Sequence, residues 1–187
     1  MGLVKRSYMD DLEIKSVSLA DLSEVLTKQG EDYFRRLYPC SFLLLANQLV
    51  SEDEIDSLQL KTIESVTGDF KSSLSLTMSD RLVPLLKSNR NVFNSRITIG
   101  RAPNNDIIIS SHKISRLHAM IVLGDNDLFT VMDMGSSNGT FVNEIRLEPK
   151  KPVPIKDGDL LRVWRIAAEF HTVSGTIRLL KERATSK

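Results

Sequence analysis

The sequence ITIGRAPNNDIIISSHKISRLHAMIVLGDNDLFTVMDMGSSNGTFV, residues 97–142, decides the fold. It contains five short runs rich in β-branched and other apolar residues, spaced about ten residues apart, as is typical of strands in an all-β domain. These runs are residues 97–99, 107–109, 119–123, 129–132 and 140–142. Residues with turn chemistry follow several runs, as at Asp125-Asn126-Asp127 and Asn143-Glu144. The pattern predicts a β-sandwich or a β-barrel.

Three short motifs stand at the ends of these runs and are therefore expected on loops. They are Gly100-Arg101, the S-x-x-H unit from Ser115 to His118, and Ser137-Asn138-Gly139. Asn138-Gly139 also predicts a tight hairpin, because both residues tolerate positive φ. Loops at one end of a sandwich meet in space although they are distant in sequence. We therefore expect the three motifs to lie together.

The residue types in these motifs suit a phosphorylated chain as ligand. Arg101 offers a planar fork of donors, Ser115 and Ser137 offer hydroxyls, and Arg116 adds a second positive charge. A phosphate accepts hydrogen bonds from all of these groups. The amide of Asn138 can both donate and accept, so it suits the backbone of a bound peptide.

In this order and spacing, the G-R, S-x-x-H-A and N-G-T motifs resemble the forkhead-associated (FHA) domain, a family that reads phosphorylated segments. The resemblance covers about residues 73–180. It implies an eleven-stranded β-sandwich that binds phosphothreonine peptides through its loops. It also implies that Arg101 and Ser115 hold the phosphate, that Arg116 faces the ligand, that Ser137 occupies the family's Thr/Ser position, and that Asn138 fixes the peptide backbone.

The same resemblance implies that Gly100, His118 and Gly139 are structural and shape the loops. A histidine before an apolar strand is in any case more often a satisfied core residue than a ligand or a base. One departure concerns Trp164, which stands where the family commonly has Gly or another small residue. The surface beside the site is therefore expected to differ from the family pattern.

The flanking sequence predicts a different organisation. Residues 1–70 are expected to be a mainly helical extension, 71–182 the FHA β-sandwich and 183–187 a tail. In the extension, Ser18-x-x-Asp21 predicts a helix start, and residues 41–46 form an apolar run suited to a buried strand. Later strands are predicted at 74–78, 82–86 and 176–180. Residues 87–96 are expected to form a loop near the binding end.

Composition excludes several classes of protein. The 187 residues carry a net charge of +1, which divides into 7 Lys/Arg against 13 Asp/Glu in residues 1–70 and 18 against 11 in the rest. This basic part lacks the aromatic interleaving of a nucleic-acid platform, so no nucleic acid is expected as partner. A single Cys excludes an internal disulfide, and the histidines show no metal or nucleophile spacing. We expect no metal, no cofactor, no enzyme activity and no membrane span, in a soluble cytoplasmic protein.

Three functions are left open by the sequence. The first is a phosphothreonine-dependent adaptor that binds substrates of a Ser/Thr kinase. The second is a scaffold or oligomerisation protein that uses the sandwich surface and the helices without phosphate, and the third is an enzyme or enzyme subunit. Self-association through phosphorylated Thr27, Thr62 or Thr67 is a further possibility.

Overall fold

The computed structural model describes residues 17–45, 81–89, 91–124 and 128–185. These ranges contain twelve strands and three helices. The strands are β1 Val17–Ser18, β2 Phe42–Leu45, β3 Arg81–Pro84, β4 Arg96–Gly100, β5 Ile107–Ile108, β6 Ala119–Leu123, β7 Phe129–Asp133, β8 Thr140–Val142, β9 Ile145–Arg146, β10 Val153–Ile155, β11 Leu160–Val163 and β12 Ile166–His171. The helices are α1 Leu19–Gln29, α2 Glu31–Leu37 and α3 Val173–Thr185.

The strands form two sheets. One has seven strands in the order β1-β3-β2-β12-β11-β8-β9, and the other has five in the order β10-β7-β6-β4-β5. All neighbouring pairs are antiparallel except β4 and β5, which are parallel. The mainly β architecture with a helical N-terminal extension is confirmed. The described residues hold twelve strands, several of only two residues, where the resemblance implies eleven.

The main core lies between the two sheets. Alternate side chains along each strand point inward, which is the period expected of strands with one face on a core. The five-stranded sheet contributes Ile97, Ile99, Ile121 and Val131, and the seven-stranded sheet contributes Leu43, Val83, Leu161, Val163 and Phe170. The aromatic rings of Phe129 and Phe170 meet edge to face across this core, with centroids 5.2 Å apart.

A second apolar cluster lies where the helices cover the other face of β2 and β3. It joins residues of α1, α2 and α3 to side chains of the two strands: Leu19, Leu22, Leu26, Phe34, Ile177 and Leu180 with Phe42, Leu44 and Leu82. In β2, Leu43 faces the main core while Phe42 and Leu44 face the helices. Burial on both faces explains why this strand is an unbroken apolar run.

The predicted start of the first helix is confirmed. The Ser18 hydroxyl accepts a hydrogen bond from the Asp21 N–H at 3.1 Å, which caps the start of α1. Gly30 ends that helix with φ 80° and donates its N–H to the Leu26 carbonyl. The helix α2 ends at Leu37, two residues before Pro39, because a proline disfavours helical geometry in the residue that precedes it.

The predicted strand at residues 176–180 is wrong, because these residues belong to α3. Thr172 starts the helix: its hydroxyl accepts from the Gly175 N–H at 3.1 Å, and its carbonyl accepts from the Thr176 N–H at 2.9 Å. Ile177 and Leu180, three residues apart, both reach the helical cluster. The β-branched pair Thr176-Ile177 suggested a strand, but packing onto β2 and β3 favours the helix.

The predicted division at residue 70 remains a prediction, since residues 46–80 lie outside the described part of the chain. The seven-stranded sheet nevertheless takes strands from both sides of it, because Leu45 of β2 pairs with Arg81 of β3. The predicted strand at 74–78 and the turn at 125–127 also lie outside the described residues. At the other end, α3 extends to Thr185, into the segment predicted as a tail.

Residues 87–89 and 91–95, which belong to the segment predicted as a loop near the binding end, pack beside β4. Asn91 donates to the carbonyl of Arg96, the first residue of β4, at 2.7 Å, and also to the carboxylate of Asp106. The N–H and the hydroxyl of Thr98 donate hydrogen bonds to the same carboxylate, at 2.7 and 3.0 Å. The fully buried Asp106 therefore holds the segment in place.

Candidate functional site

Three loops converge at the end of the sandwich where β4 ends and β6 and β8 begin. The N–H of Arg101 donates to the carbonyl of Ser115 at 3.0 Å, and the N–H of Ser137 donates to the Ser115 hydroxyl at 3.2 Å. The side-chain amide of Asn138 donates to the carbonyl of Lys113 at 2.6 Å. Ser115 is thus the residue through which the first and third loops are joined, and the three sequence motifs lie together.

Gly100 allows the first two loops to approach closely. A Cβ at this position would press against the carbonyl of Arg116 and would lie 2.9 Å from Nδ2 of Asn105. The same Arg116 carbonyl accepts from the Ala102 N–H at 3.2 Å and from the Asn105 amide at 2.7 Å. Only glycine leaves room for this backbone contact.

His118 joins the second and third loops through its imidazole ring. It is fully buried, and its Nδ1 accepts a hydrogen bond from the Ser115 N–H at 3.1 Å. Its Nε2 lies 3.1 Å from the carbonyl of Gly139, so this nitrogen carries the proton and the ring is the neutral Nε2–H tautomer. Burial lowers the pKa of His118, although the Gly139 carbonyl and the Asp133 charge act in the opposite direction. The ring is a brace for the loops.

Asp133 organises the third loop and was missed by the sequence analysis. Its carboxylate accepts the N–H groups of Gly135 and Ser136 and the hydroxyls of Ser136 and Thr140, at 2.6 to 2.9 Å. Burial raises the pKa of Asp133, but these hydrogen bonds outweigh it and the pKa is lowered overall. The available signal was an Asp followed by Gly, Ser and Thr, which is typical of side-chain-capped turns.

The predicted hairpin at Asn138-Gly139 is wrong. Gly139 does adopt positive φ, 84°, but β7 and β8 on its two sides belong to different sheets, so the segment is a connection between sheets. The tight hairpin with two residues at positive φ is Asn143-Glu144, between β8 and β9. Turn chemistry identifies a reversal but not which strands it joins.

The side chains that face solvent at this end are the ones predicted to bind. Arg101, Arg116 and Ser137 are exposed, whereas Ser115 and Asn138 are partly buried. Within the described ranges, neither Arg101 nor Arg116 has a carboxylate or other acceptor bonded to its guanidinium. The geometry therefore presents two free cations and several hydroxyl and amide groups around Ser115.

Trp164 lies directly behind the third loop. The backbone N–H of Trp164 donates to the Gly139 carbonyl at 3.0 Å, and the same oxygen accepts from His118. Its φ is 56°, a conformation that costs a non-glycine residue about 1–2 kcal/mol. This explains why glycine is common at the position, while the partly buried ring packs against the main core.

Comparison with known protein families identifies the domain. A family model described as "FHA domain" matches residues 97–163, the stretch that carries all three motifs. These residues form an FHA domain. Such a domain is a binding module and not a catalytic one.

Two named relatives are similar to parts of this chain. The chain is 31% identical over 150 residues to the probable E3 ubiquitin-protein ligase dma1 of Schizosaccharomyces pombe, covering 74% of this chain and 51% of the relative. It is 37% identical over 73 residues to the glycogen accumulation regulator GarA of Mycobacterium tuberculosis, covering 39% and 43%. The chain thus spans about half the length of these relatives or less.

The solved structures that resemble the chain include FHA proteins with bound peptides. One is Mycobacterium tuberculosis EmbR in complex with a low-affinity phosphopeptide, with a TM-score of 0.43 and 24% identity over 71% of this chain and 24% of that one.

Two further properties concern the described residues. None of their helices is long and apolar enough to span a bilayer. In the same ranges, no three His, Cys, Asp or Glu side chains are grouped in a way that could hold a metal ion.

Proposed function

We propose that the chain binds phosphothreonine-containing segments of other proteins and acts as an adaptor in Ser/Thr kinase signalling. The observation that carries this proposal is the Arg101 guanidinium, which has no acceptor among the described residues and lies on a loop bonded to Ser115. Arginine can meet two oxygens of a phosphate at once, which makes it well suited to a dianion. Arg116 adds positive charge to the same end of the domain.

The roles of the other site residues follow from their positions. The hydroxyls of Ser115 and Ser137 donate to the phosphate, since a phosphate dianion only accepts. Asn138 already uses its NH₂ group on Lys113, so its amide oxygen serves a backbone N–H of the peptide. Gly100, His118 and Gly139 hold the three loops at the required spacing.

The phosphate should supply most of the affinity. A hydrogen bond to a charged group contributes about 1.5–3 kcal/mol, and association costs at least about 4 kcal/mol. Three or four such bonds leave an affinity near the micromolar range, about −8 kcal/mol, once the peptide backbone is also bound. Selection of threonine over serine rests on its methyl group, which contributes at most about 1 kcal/mol.

The decisive experiment is calorimetric titration with the best peptide from a phosphothreonine library and with its unphosphorylated copy. We expect micromolar binding of the phosphorylated peptide only, and loss of binding in Arg101→Ala. The matched control is Lys156→Ala, which removes an exposed cation between β10 and β11, at the opposite end of the sandwich. Equal binding of both peptides would contradict the proposal and favour a phosphate-independent scaffold.

A second candidate function follows from the similarity to dma1, which extends well beyond residues 97–163. The chain would then select phosphorylated substrates for ubiquitin transfer. RING-type zinc sites use at least two Cys per zinc, and the 187 residues contain one, so a zinc-dependent ligase centre has to come from elsewhere. Purification of the chain from its own cells should then recover ubiquitin-ligase activity, and an eluate without it would contradict this candidate.

A further inference from the structure

The exposed cations of the described residues fall into two groups, those that are paired with an acidic side chain and those that are not. Most of those on the helices are paired: Lys28 with Glu24, Arg35 and Lys181 with Glu31, and Arg178 with Asp157. On the seven-stranded sheet, the partly buried Arg162 pairs with Glu144. Arg146 is exposed and lies on the edge strand β9. The strand β8 separates β9 from β11, which carries Arg162. Glu144 is already engaged by Arg162, and Arg146 has no acidic partner in the described part of the chain.

Arg146 also lies against the loop that carries Asn138. Its register partner is Phe141 on β8, and the next residue, Leu147, donates its N–H to the Thr140 carbonyl, so Arg146 is near the end of β8 that begins at the site. A Cβ on Gly139 would lie 2.9 Å from Nε of Arg146 and 3.3 Å from its Cζ. The missing side chain of Gly139 therefore leaves the space in which the Arg146 side chain lies.

We propose that Arg146 selects a second negative charge on the bound phosphopeptide, either an acidic side chain or a second phosphate. This inference rests on the proposed function, because the same peptide must first be held at Arg101 and Asn138. Arg146 stands next to the residue assigned to the peptide backbone, on an edge strand that leaves its guanidinium open to solvent. A carboxylate or a phosphate can take two parallel hydrogen bonds from such a group.

The alternative for an exposed arginine is that it is simply solvated. Arg146 differs because its side chain lies in the space left by Gly139, and Gly139 directly follows Asn138. The preferred ligand is therefore a peptide with two anionic groups, and a singly charged phosphopeptide should bind more weakly.

The test compares peptides that share one phosphothreonine and differ in a single flanking residue. Each flanking position is scanned with Ala, with Asp and with phosphoserine, and the dissociation constants are measured by calorimetry or fluorescence anisotropy. At one or more positions we expect Asp to bind about two- to fivefold more tightly than Ala, which is the range for an exposed ion pair. Phosphoserine there should exceed Asp if a phosphate is the natural group, and should equal it if a carboxylate is.

The decisive quantity is the ratio of the Ala-peptide to the Asp-peptide dissociation constants. This ratio should fall to about one in Arg146→Gln, be partly restored in Arg146→Lys, and keep its wild-type value in Lys156→Ala. It should also fall as salt is raised, because an exposed pair is screened. Far-UV circular dichroism checks that each variant is folded.

The outcomes separate the two claims. If phosphothreonine peptides bind but the ratio is one in the wild-type protein, or is unchanged in Arg146→Gln, the inference about Arg146 is overturned while the proposed function stands. If no phosphothreonine peptide binds at all, the proposed function fails, and the inference fails with it.

Discussion

His118 shows how one residue can fix the geometry of a binding surface without contacting a ligand. Its two nitrogens hold the Ser115 N–H and the Gly139 carbonyl, so the neutral ring joins two of the three loops. Protonation would place a hydrogen on Nδ1, where the ring now accepts one. The lowered pKa of His118 reflects this environment, with burial as its main cause.

A pH dependence of stability follows from that lowered pKa. In the unfolded chain the imidazole takes up a proton as the pH falls below about 6.5, whereas in the folded protein it does so only at lower pH. The contribution of His118 to the free energy of unfolding should therefore be constant above about pH 6.5 and should decrease as the pH falls below it. Asp133, whose folded pKa is also lowered, loses its contribution only below about pH 3.8.

Denaturant unfolding at several pH values between about 7.5 and 5 measures this effect. His118→Gln should be less stable than the wild-type protein at the upper pH and should lose less stability on acidification. The control is His112→Gln, which makes the same substitution at an exposed histidine of the same loop region. Identical slopes for the wild-type protein and His118→Gln would contradict the assignment.

Whether the role of a single residue could be predicted from the sequence depended on what determines that role. The positions of Arg101, Ser115 and Asn138 on adjoining loops were predictable, because motifs at strand ends map onto one end of a sandwich. Asp106 was not predictable, since its importance comes from its burial and from donors on other segments of the chain. Asp133 was missed although its donors are local and the sequence carries a turn signal there. A buried carboxylate cannot be distinguished from an exposed one by its neighbours in sequence alone.

At the scale of elements, the strands of the central stretch were predictable and the last helix was not. Short runs rich in β-branched and other apolar residues, bounded by turn residues, identify β4, β6, β7 and β8 with little ambiguity. Residues 176–180 have the composition of a strand, and they form part of α3 because Ile177 and Leu180 pack on a helical cluster supplied by the other end of the chain. Tertiary contacts of that kind override local preference.

The helical cluster should contribute strongly to stability. Leu22 is fully buried among α1, α3 and the outward face of β2 and β3, so Leu22→Ala should lower the free energy of unfolding by about 2–5 kcal/mol. Leu37 is 47% exposed on α2, and Leu37→Ala is the matched control, with an expected change of at most about 1 kcal/mol. Equal effects of the two substitutions, in urea unfolding followed by circular dichroism, would contradict this packing.

At the scale of the whole molecule, the helices and the candidate site occupy different parts of the sandwich. The helices cover β2 and β3 at one side of the seven-stranded sheet, whereas the third loop leads into β8 near the opposite edge. The helices α2 and α3 are joined by the Lys181–Glu31 ion pair and by a hydrogen bond from Arg35 to Ser174 at 3.2 Å. This arrangement leaves the loop end accessible while the helices stabilise the sheet.

The central claim is that three loops around Ser115 form one site for a phosphothreonine. It is tested most directly by following the backbone amide signals of the ¹⁵N-labelled protein by NMR during titration with a phosphothreonine peptide. The account predicts that the largest shifts fall on Arg101, Ser115, Arg116, Ser137 and Asn138, and that the unphosphorylated peptide leaves these signals in place. Phosphate-dependent shifts confined to the helices or to the β10–β11 end, with these five signals unmoved, would contradict it.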